Sequence, residues 1–255
     1  MVKTEKFFVI DIGNTSTTVG VAQGRRVLRT GRLSSSEGGD SKRIETLLRR
    51  LASPGSVTDA VLCSVVPLHN PCWRHVLSRY TGHEPLVVDH RLRLSVSVDY
   101  RRPERIGADR LANAVAAWNR YHGPVVAADF GTALTFDVIT GDGRYVGGVI
   151  APGLPLMTDY LCERTALLPH ISLGRVNRAI GRSTREAMRI GAMVGYRGMV
   201  REIFHEVVGE MNERRVKFCA TGGYAAQAVK GLEVKVDVLP NLTLEGLIGI
   251  RELNR

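Results

Sequence analysis

The sequence predicts an α/β fold made of two duplicated halves, each a mixed sheet with flanking helices. Three observations lead there. An apolar strand over residues 6–10 runs into Asp11-Ile12-Gly13-Asn14-Thr15, and a second over 124–128 runs into Asp129-Phe130-Gly131-Thr132-Ala133. Each copy continues through two further strands joined by short turns. Each then changes from strand alternation to helical spacing. Copies so far apart exclude a solenoid repeat and suit a duplicated domain. The halves are placed at 1–117 and 118–255.

Taken in order, the first meander has strands over 6–10, 17–22 and 26–33, with Gln23-Gly24 as a turn. Residues 34–40, rich in Ser and Gly, read as a surface loop. Ile44, Leu47, Leu48 and Leu51 then recur at helical spacing over 41–51. A strand over 59–66, a helix near 74–80 and short strands near Leu86 and Leu94 complete this half. A helix over 108–121 is expected to bridge the halves. The second meander takes 124–128, 134–139 and 144–150, with the turn Gly141-Asp142-Gly143. A long helix over 184–208 follows. Then come a strand over 216–220, a Gly-Gly turn, a short helix, a strand over 234–239 and a last helix ending near Leu253. Meander strands followed by strands alternating with helices imply a mixed sheet.

Composition narrows the class. The chain has 255 residues, of which 44% are hydrophobic and 24% charged, so a folded protein is expected. No apolar run approaches the roughly 20 residues of a membrane helix. The run 7–10 is stopped by Asp11 with no small-residue cleavage site after it. A cytoplasmic protein is expected. Cys63, Cys72, Cys162 and Cys219 are scattered, without metal-site or disulfide spacing, and read as reduced thiols. The net charge of +10 comes from arginines spread along the chain, never in runs longer than two. That pattern suits attraction of phosphates and carboxylates better than a nucleic-acid stripe.

Four motifs could carry chemistry. In residues 11–18 an aspartate ends a strand, a glycine opens a tight turn and hydroxyls follow. Such a turn can surround phosphate oxygens with N–H and O–H donors, with Asp11 placed to hold Mg²⁺. A single Asp-x-Gly also makes an ordinary hairpin turn; the second copy at Asp129 strengthens the phosphate reading. Ala220-Thr221-Gly222-Gly223-Tyr224 is a strand-to-helix turn where two glycines allow a flat ligand, an adenine or ribose, against the backbone. Finally, Gly107-Ala108-Asp109-Arg110 opens a helix. Asp109 lies in its first turn, where the dipole favours a carboxylate. Capping alone would explain it, but Arg110 beside it and Tyr100 upstream make a group of base, cation and hydroxyl. No P-loop pattern occurs.

Two facing phosphate turns on duplicated halves resemble the actin-like ATPase architecture. The four motifs in this order resemble the type III pantothenate kinases over nearly the whole chain. Gly147-Gly148-Val149-Ile150-Ala151-Pro152-Gly153 and Gly181-Arg182-Ser183-Thr184 also fit that family's pattern. Leu134 departs from it, standing where a small or hydroxyl residue is common. The resemblance implies duplicated actin-like (ribonuclease H-like) domains with mixed five-stranded sheets, and ATP in the cleft between them. It implies ATP-dependent phosphorylation of pantothenate to 4′-phosphopantothenate, the first step of coenzyme A biosynthesis. Asp109 would be the catalytic base. Asp11, Ile12, Gly13, Asn14, Thr15, Ser16, Thr17, Thr18, Thr132, Gly222 and Gly223 would bind ATP, with Asp11 near Mg²⁺. Asp129 would hold K⁺ or NH₄⁺. Tyr100, Gly107, Ala108, Arg110 and Thr184 would hold pantothenate, Thr184 across a homodimer interface. A phosphatase on the same fold would not need residues 107–110. A regulator that had lost catalysis would be marked by loss of Asp11, Asp109 or Asp129, and all three are present.

Overall fold

The computed structural model of the chain describes residues 5–174 and 176–255. They form two units. The first comprises residues up to His122, with 143–146 and 241–255; the second comprises 123–142 and 147–240.

In the first unit, apolar alternation builds an antiparallel meander of β1 (Lys6–Ile12), β2 (Ser16–Gln23) and β3 (Arg26–Ser34). β1 also pairs in parallel with β4 (Asp59–Ser64), and β5 (Leu86–Val87) follows, giving the order β3-β2-β1-β4-β5. β1 is therefore the central strand, and Phe7, Phe8, Val9, Ile10 and Ile12 are all buried. Side chains alternate between its faces. Phe8, Ile10 and Ile12 share a core with α1 (Ser41–Leu51) and α2 (Asn70–Thr81) through Ile44, Leu48, Trp73 and Leu77. α1 starts at Asp40, whose carboxylate accepts the Lys42 and Arg43 N–H groups at 2.9 and 3.3 Å. This satisfies two orphan donors at the helix start.

The other face of β1 meets α8 (Leu242–Leu253), which packs on α3 (Ala108–Tyr121). Phe7 lies under the guanidinium of Arg251, 3.7 Å from ring centroid to carbon. That guanidinium donates to Asp59 at 2.6 Å, and Arg255 contacts the same carboxylate. Burial lowers Arg251 to about 10, with Glu5 and Glu252 opposing, so it stays charged at neutral pH.

The second unit repeats the plan. β7 (Val125–Phe130) pairs antiparallel with β8 (Ala133–Ile139) and parallel with β10 (Lys217–Thr221). With β9 (Arg144–Pro152), β11 (Asp237–Val238) and the short β6 (Ser97–Val98) the order is β11-β10-β7-β8-β9-β6, six strands where five were expected, and β7 is again interior. The first residues of β9, Arg144 and Tyr145, pair with β6 (Ser97–Val98) in the first unit. The helices are α4 (Leu156–Arg164), α5 (Thr184–Ile190), α6 (Tyr196–Met211) and the short α7 (Ala225–Ala228). Phe136, Phe204 and Phe218 pack edge-on, with centroids 5.2 and 4.3 Å apart, and anchor α6 to the sheet. Among the described residues no helix is long and apolar enough to cross a membrane.

Several expectations change in detail. The helix expected over 184–208 extends to Met211 and is interrupted by a π turn at Gly191–Gly195, where two glycines, Gly191 and Gly195, hold the α register weakly. The strand expected over 234–239 shrinks to Asp237–Val238, and the short strand expected near Leu94 falls instead at Ser97–Val98. Residues 34–40 hold a short 3₁₀ turn, Ser35–Glu37.

The α3–α8 contact depends on Gly246, whose missing side chain lets α8 sit against the Ala112 carbonyl; a methyl there would overlap it. Gly246→Ala should gain up to about 1 kcal/mol in helix propensity. It should lose about 3 kcal/mol through overpacking against backbone. Urea unfolding is expected to show a net loss of about 2 kcal/mol.

Candidate active site

Each central strand ends on a half-buried aspartate followed by a tight turn. In the first unit Asp11 stands opposite Thr18 on β2 and Cys63 on β4. Gly13 N–H donates to the Ser16 carbonyl at 3.2 Å and closes the turn. Ser35 buttresses it: its hydroxyl donates to the Gly13 carbonyl at 2.6 Å, and its N–H to the Thr15 carbonyl at 3.0 Å. Sequence reading passed over Ser35, although a serine closing a strand beside a phosphate turn was the available signal.

The expected phosphate-binding residues divide by face. Asn14 and Thr15 are exposed, and Ser16 and Thr18 half-buried. Thr17 is fully buried and lies opposite Ile12 and Leu33, two core residues. Strand alternation turns it inward, and its hydroxyl has no partner. Its side chain, like that of Ile12, is thus core rather than cradle, which corrects the expectation of an unbroken run of ligand side chains.

Beside this turn lies the start of α3. Asp109 folds back so that its Oδ1 accepts the Arg110 N–H at 2.8 Å. A side chain on Gly107 would collide with that oxygen, so glycine is what lets the carboxylate take this position. Burial raises the Asp109 pKa, with the Arg110 N–H and charge opposing. The Cys63 thiol donates to Asp11 Oδ1 at 3.4 Å. It is pushed well up, first by burial and then by the charges of Asp11 and Asp109. Asp11, Cys63 and Asp109 therefore share one electrostatic neighbourhood.

Arg110 is buried, with its guanidinium 5.9 Å from the centroid of the Tyr145 ring. Tyr145, fully buried, is 6.2 Å from the ring of Tyr100, which is exposed. The Tyr100 segment is held by Asp99, which accepts from Arg144 at 3.0 Å and donates its N–H to the Tyr145 carbonyl at 2.9 Å. Tyr100 and Arg110 thus both lie against Tyr145, beside Gly107, Ala108 and Asp109 at the start of α3. Tyr145 is an addition; the signal was an aromatic just ahead of Gly147-Gly148.

In the second unit Asp129 stands opposite Thr135 on β8 and Thr221 on β10. Gly131 N–H closes the turn on the Ala133 carbonyl at 3.2 Å, and Thr132 is exposed. Gly222 has φ +92°, and a Cβ there would lie 2.5 Å from Asp129 Oδ1. Positive φ and close approach both require glycine. Tyr224 N–H then donates to the Phe130 carbonyl at 3.2 Å, while Gly223 is exposed. Gly153 presses against the backbone of Thr132, so the Gly-rich end of β9 backs this turn. Thr184 sits apart on α5, exposed at its first position. Ser183 caps that helix by accepting the Glu186 N–H at 3.3 Å.

The donor sets suit hard cations. Asp11 with adjacent hydroxyls and a glycine turn offers the oxygen ligands that Mg²⁺ prefers. Against Gly222 the Asp129 carboxylate and the Phe130 carbonyl oxygen lie close together, the kind of oxygen donors a hard cation takes.

Two α/β units whose central strands each end on an aspartate and a glycine turn define the duplicated actin-like class. Comparison with known proteins agrees. A solved polyphosphate/ATP-glucomannokinase from Arthrobacter sp. strain KM aligns over 97% of this chain and 99% of its own, with TM-score 0.52 and 14% identity. Residues 7–206 match the family model for type III pantothenate kinase. A type III pantothenate kinase from Dehalococcoides mccartyi strain CBDB1 is 35% identical over 99% of this chain and 97% of its own. One from Akkermansia muciniphila is 48% identical over 74% of this chain and 76% of its own. The chain belongs to the type III pantothenate kinase family.

Asp109 gives a stability prediction. Its folded pKa lies above the unfolded value near 3.9, so the native state holds the proton more tightly. Stability from this group falls as pH rises through the folded pKa. Asp109→Asn should therefore be more stable than the parent at pH 7, and the gap should close as pH falls towards about 4. Thermal melts across that range would show it.

Proposed function

We propose that this chain transfers the terminal phosphate of ATP to the primary hydroxyl of pantothenate, giving ADP and 4′-phosphopantothenate, the first step of coenzyme A biosynthesis. The observation that carries this reading is the Asp109 carboxylate, half-buried at the start of α3 and near Asp11 on the same unit. Family membership supplies the substrates, and the residues supply the roles.

Asp109 accepts the proton of the attacking hydroxyl. An aspartate is a weak base, but burial raises its pKa and so its basicity. In a loose phosphoryl-transfer transition state the proton leaves late and positioning dominates. The turn 11–18 holds the ATP phosphates through its N–H groups and the hydroxyls of Thr15, Ser16 and Thr18. Thr132 adds a further contact, and Gly222 and Gly223 hold the nucleoside. Asp11 holds Mg²⁺, which when bound offsets phosphate charge. Asp129 holds a monovalent cation, K⁺ or NH₄⁺, adding positive charge where phosphate charge accumulates. Arg110 gives an acidic substrate a buried cation, and Tyr100, Gly107 and Ala108 shape its surroundings. Thr184, exposed on α5, completes the pantothenate site from a second copy of the chain, so a homodimer is the working form. The two units are the two actin-like halves, and the reaction belongs in the cytoplasm.

The direct test is ADP release from ATP and Mg²⁺, with and without pantothenate, in K⁺ and in Na⁺. Release that needs both pantothenate and K⁺ is expected; release without pantothenate would favour a phosphatase, and none at all a regulator. Asp109→Asn should lower turnover by roughly 10²- to 10⁴-fold with ATP binding nearly unchanged. Full activity in that variant would remove Asp109 as the base. Asp129→Ala should lose most activity and with it the K⁺ requirement; normal K⁺-dependent turnover would place the cation elsewhere.

A further inference from the structure

β4 pairs in register with β1 so that Cys63 lies directly beside Asp11. Its thiol is fully buried and donates to Asp11 Oδ1 at 3.4 Å, an ordinary length for an S–H donor. The second unit has the same register. There β10 pairs in parallel with β7, and the residue in register with Asp129 is Thr221, also buried and also a short neutral donor. Two different side chains with one shared property occupy the matching place beside each strand-end aspartate.

We propose that Cys63 is a positioning residue for Asp11: its S–H holds one oxygen of the carboxylate in place, fixing how Asp11 is presented to Mg²⁺. This rests on the reading of Asp11 as the metal ligand. The chemistry of the position favours a neutral donor. A lysine or arginine would neutralise Asp11 and repel the cation. An apolar residue would leave a partly buried carboxylate oxygen without this donor. A thiol orients the carboxylate while leaving its charge in place, and partners that orient metal ligands commonly matter 10- to 100-fold in metal affinity. Burial keeps the thiol away from reagents, so its role is to hold Asp11 and not to react.

The test compares Cys63→Ala, Cys63→Val, Cys63→Ser and Asp11→Asn in the full chain. Two quantities are read: the Mg²⁺ concentration for half-maximal turnover, and Mg²⁺-dependent ATP binding by calorimetry. Ala and Val, which lack the donor, should raise the Mg²⁺ requirement about tenfold in both, with the KM for pantothenate unmoved. Ser, which restores a donor, should return to within about threefold of the parent. A parental Mg²⁺ requirement in Ala and Val would overturn the inference, as would Ser falling as far as Ala, which would make the effect one of packing. Asp11→Asn separates the layers. If it shifts the Mg²⁺ requirement and the Ala variant does not, only the role of Cys63 fails. If Asp11→Asn shifts nothing, the metal assignment fails and the role of Cys63 with it.

Discussion

A carboxylate at the end of a buried strand is costly to desolvate, and this protein places one there twice. β1 and β7 are the middle strands of their sheets, each with an antiparallel hairpin partner on one side and a parallel strand on the other. Asp11 and Asp129 sit where those strands leave the core. Surroundings at both ends follow from that cost: short turns closed by glycine N–H groups, neutral side chains in register, and glycines where backbone must pass close. Gly222 is the clearest case, because positive φ and contact with Asp129 coincide there.

The same tension sets the chemistry of the first unit. Partial burial raises the Asp109 pKa, against which the Arg110 N–H and charge and its own N–H work. A carboxylate kept in that state lowers fold stability at neutral pH, as expected for a group selected for what it does to a ligand. Arg110, buried and lying over Tyr145, is the complementary case of a cation kept from water.

Much of this was legible in the residues. The two Asp-x-Gly turns, the meanders and the helix 108–121 follow from alternation and from glycine at fixed offsets. Strands of only two residues, such as Ser97–Val98 and Asp237–Val238, have no period to read, because pairing with a neighbour and not sequence pattern makes them strands. Roles that arise across the sheet were likewise hidden. Cys63 is beside Asp11 only through the parallel register of β4. Tyr145 reaches Arg110 only because the first residues of β9 pack with the first unit. Thr17 shows the converse: a hydroxyl inside a motif whose strand face turns it into the core.

The central claim is that a phosphate moves from ATP to a pantothenate hydroxyl. Its most direct test is mass spectrometry of the products formed with ATP carrying ¹⁸O in its terminal phosphate. The account predicts ADP and pantothenate bearing one labelled phosphate. Label recovered only in inorganic phosphate, with pantothenate unchanged, would contradict it.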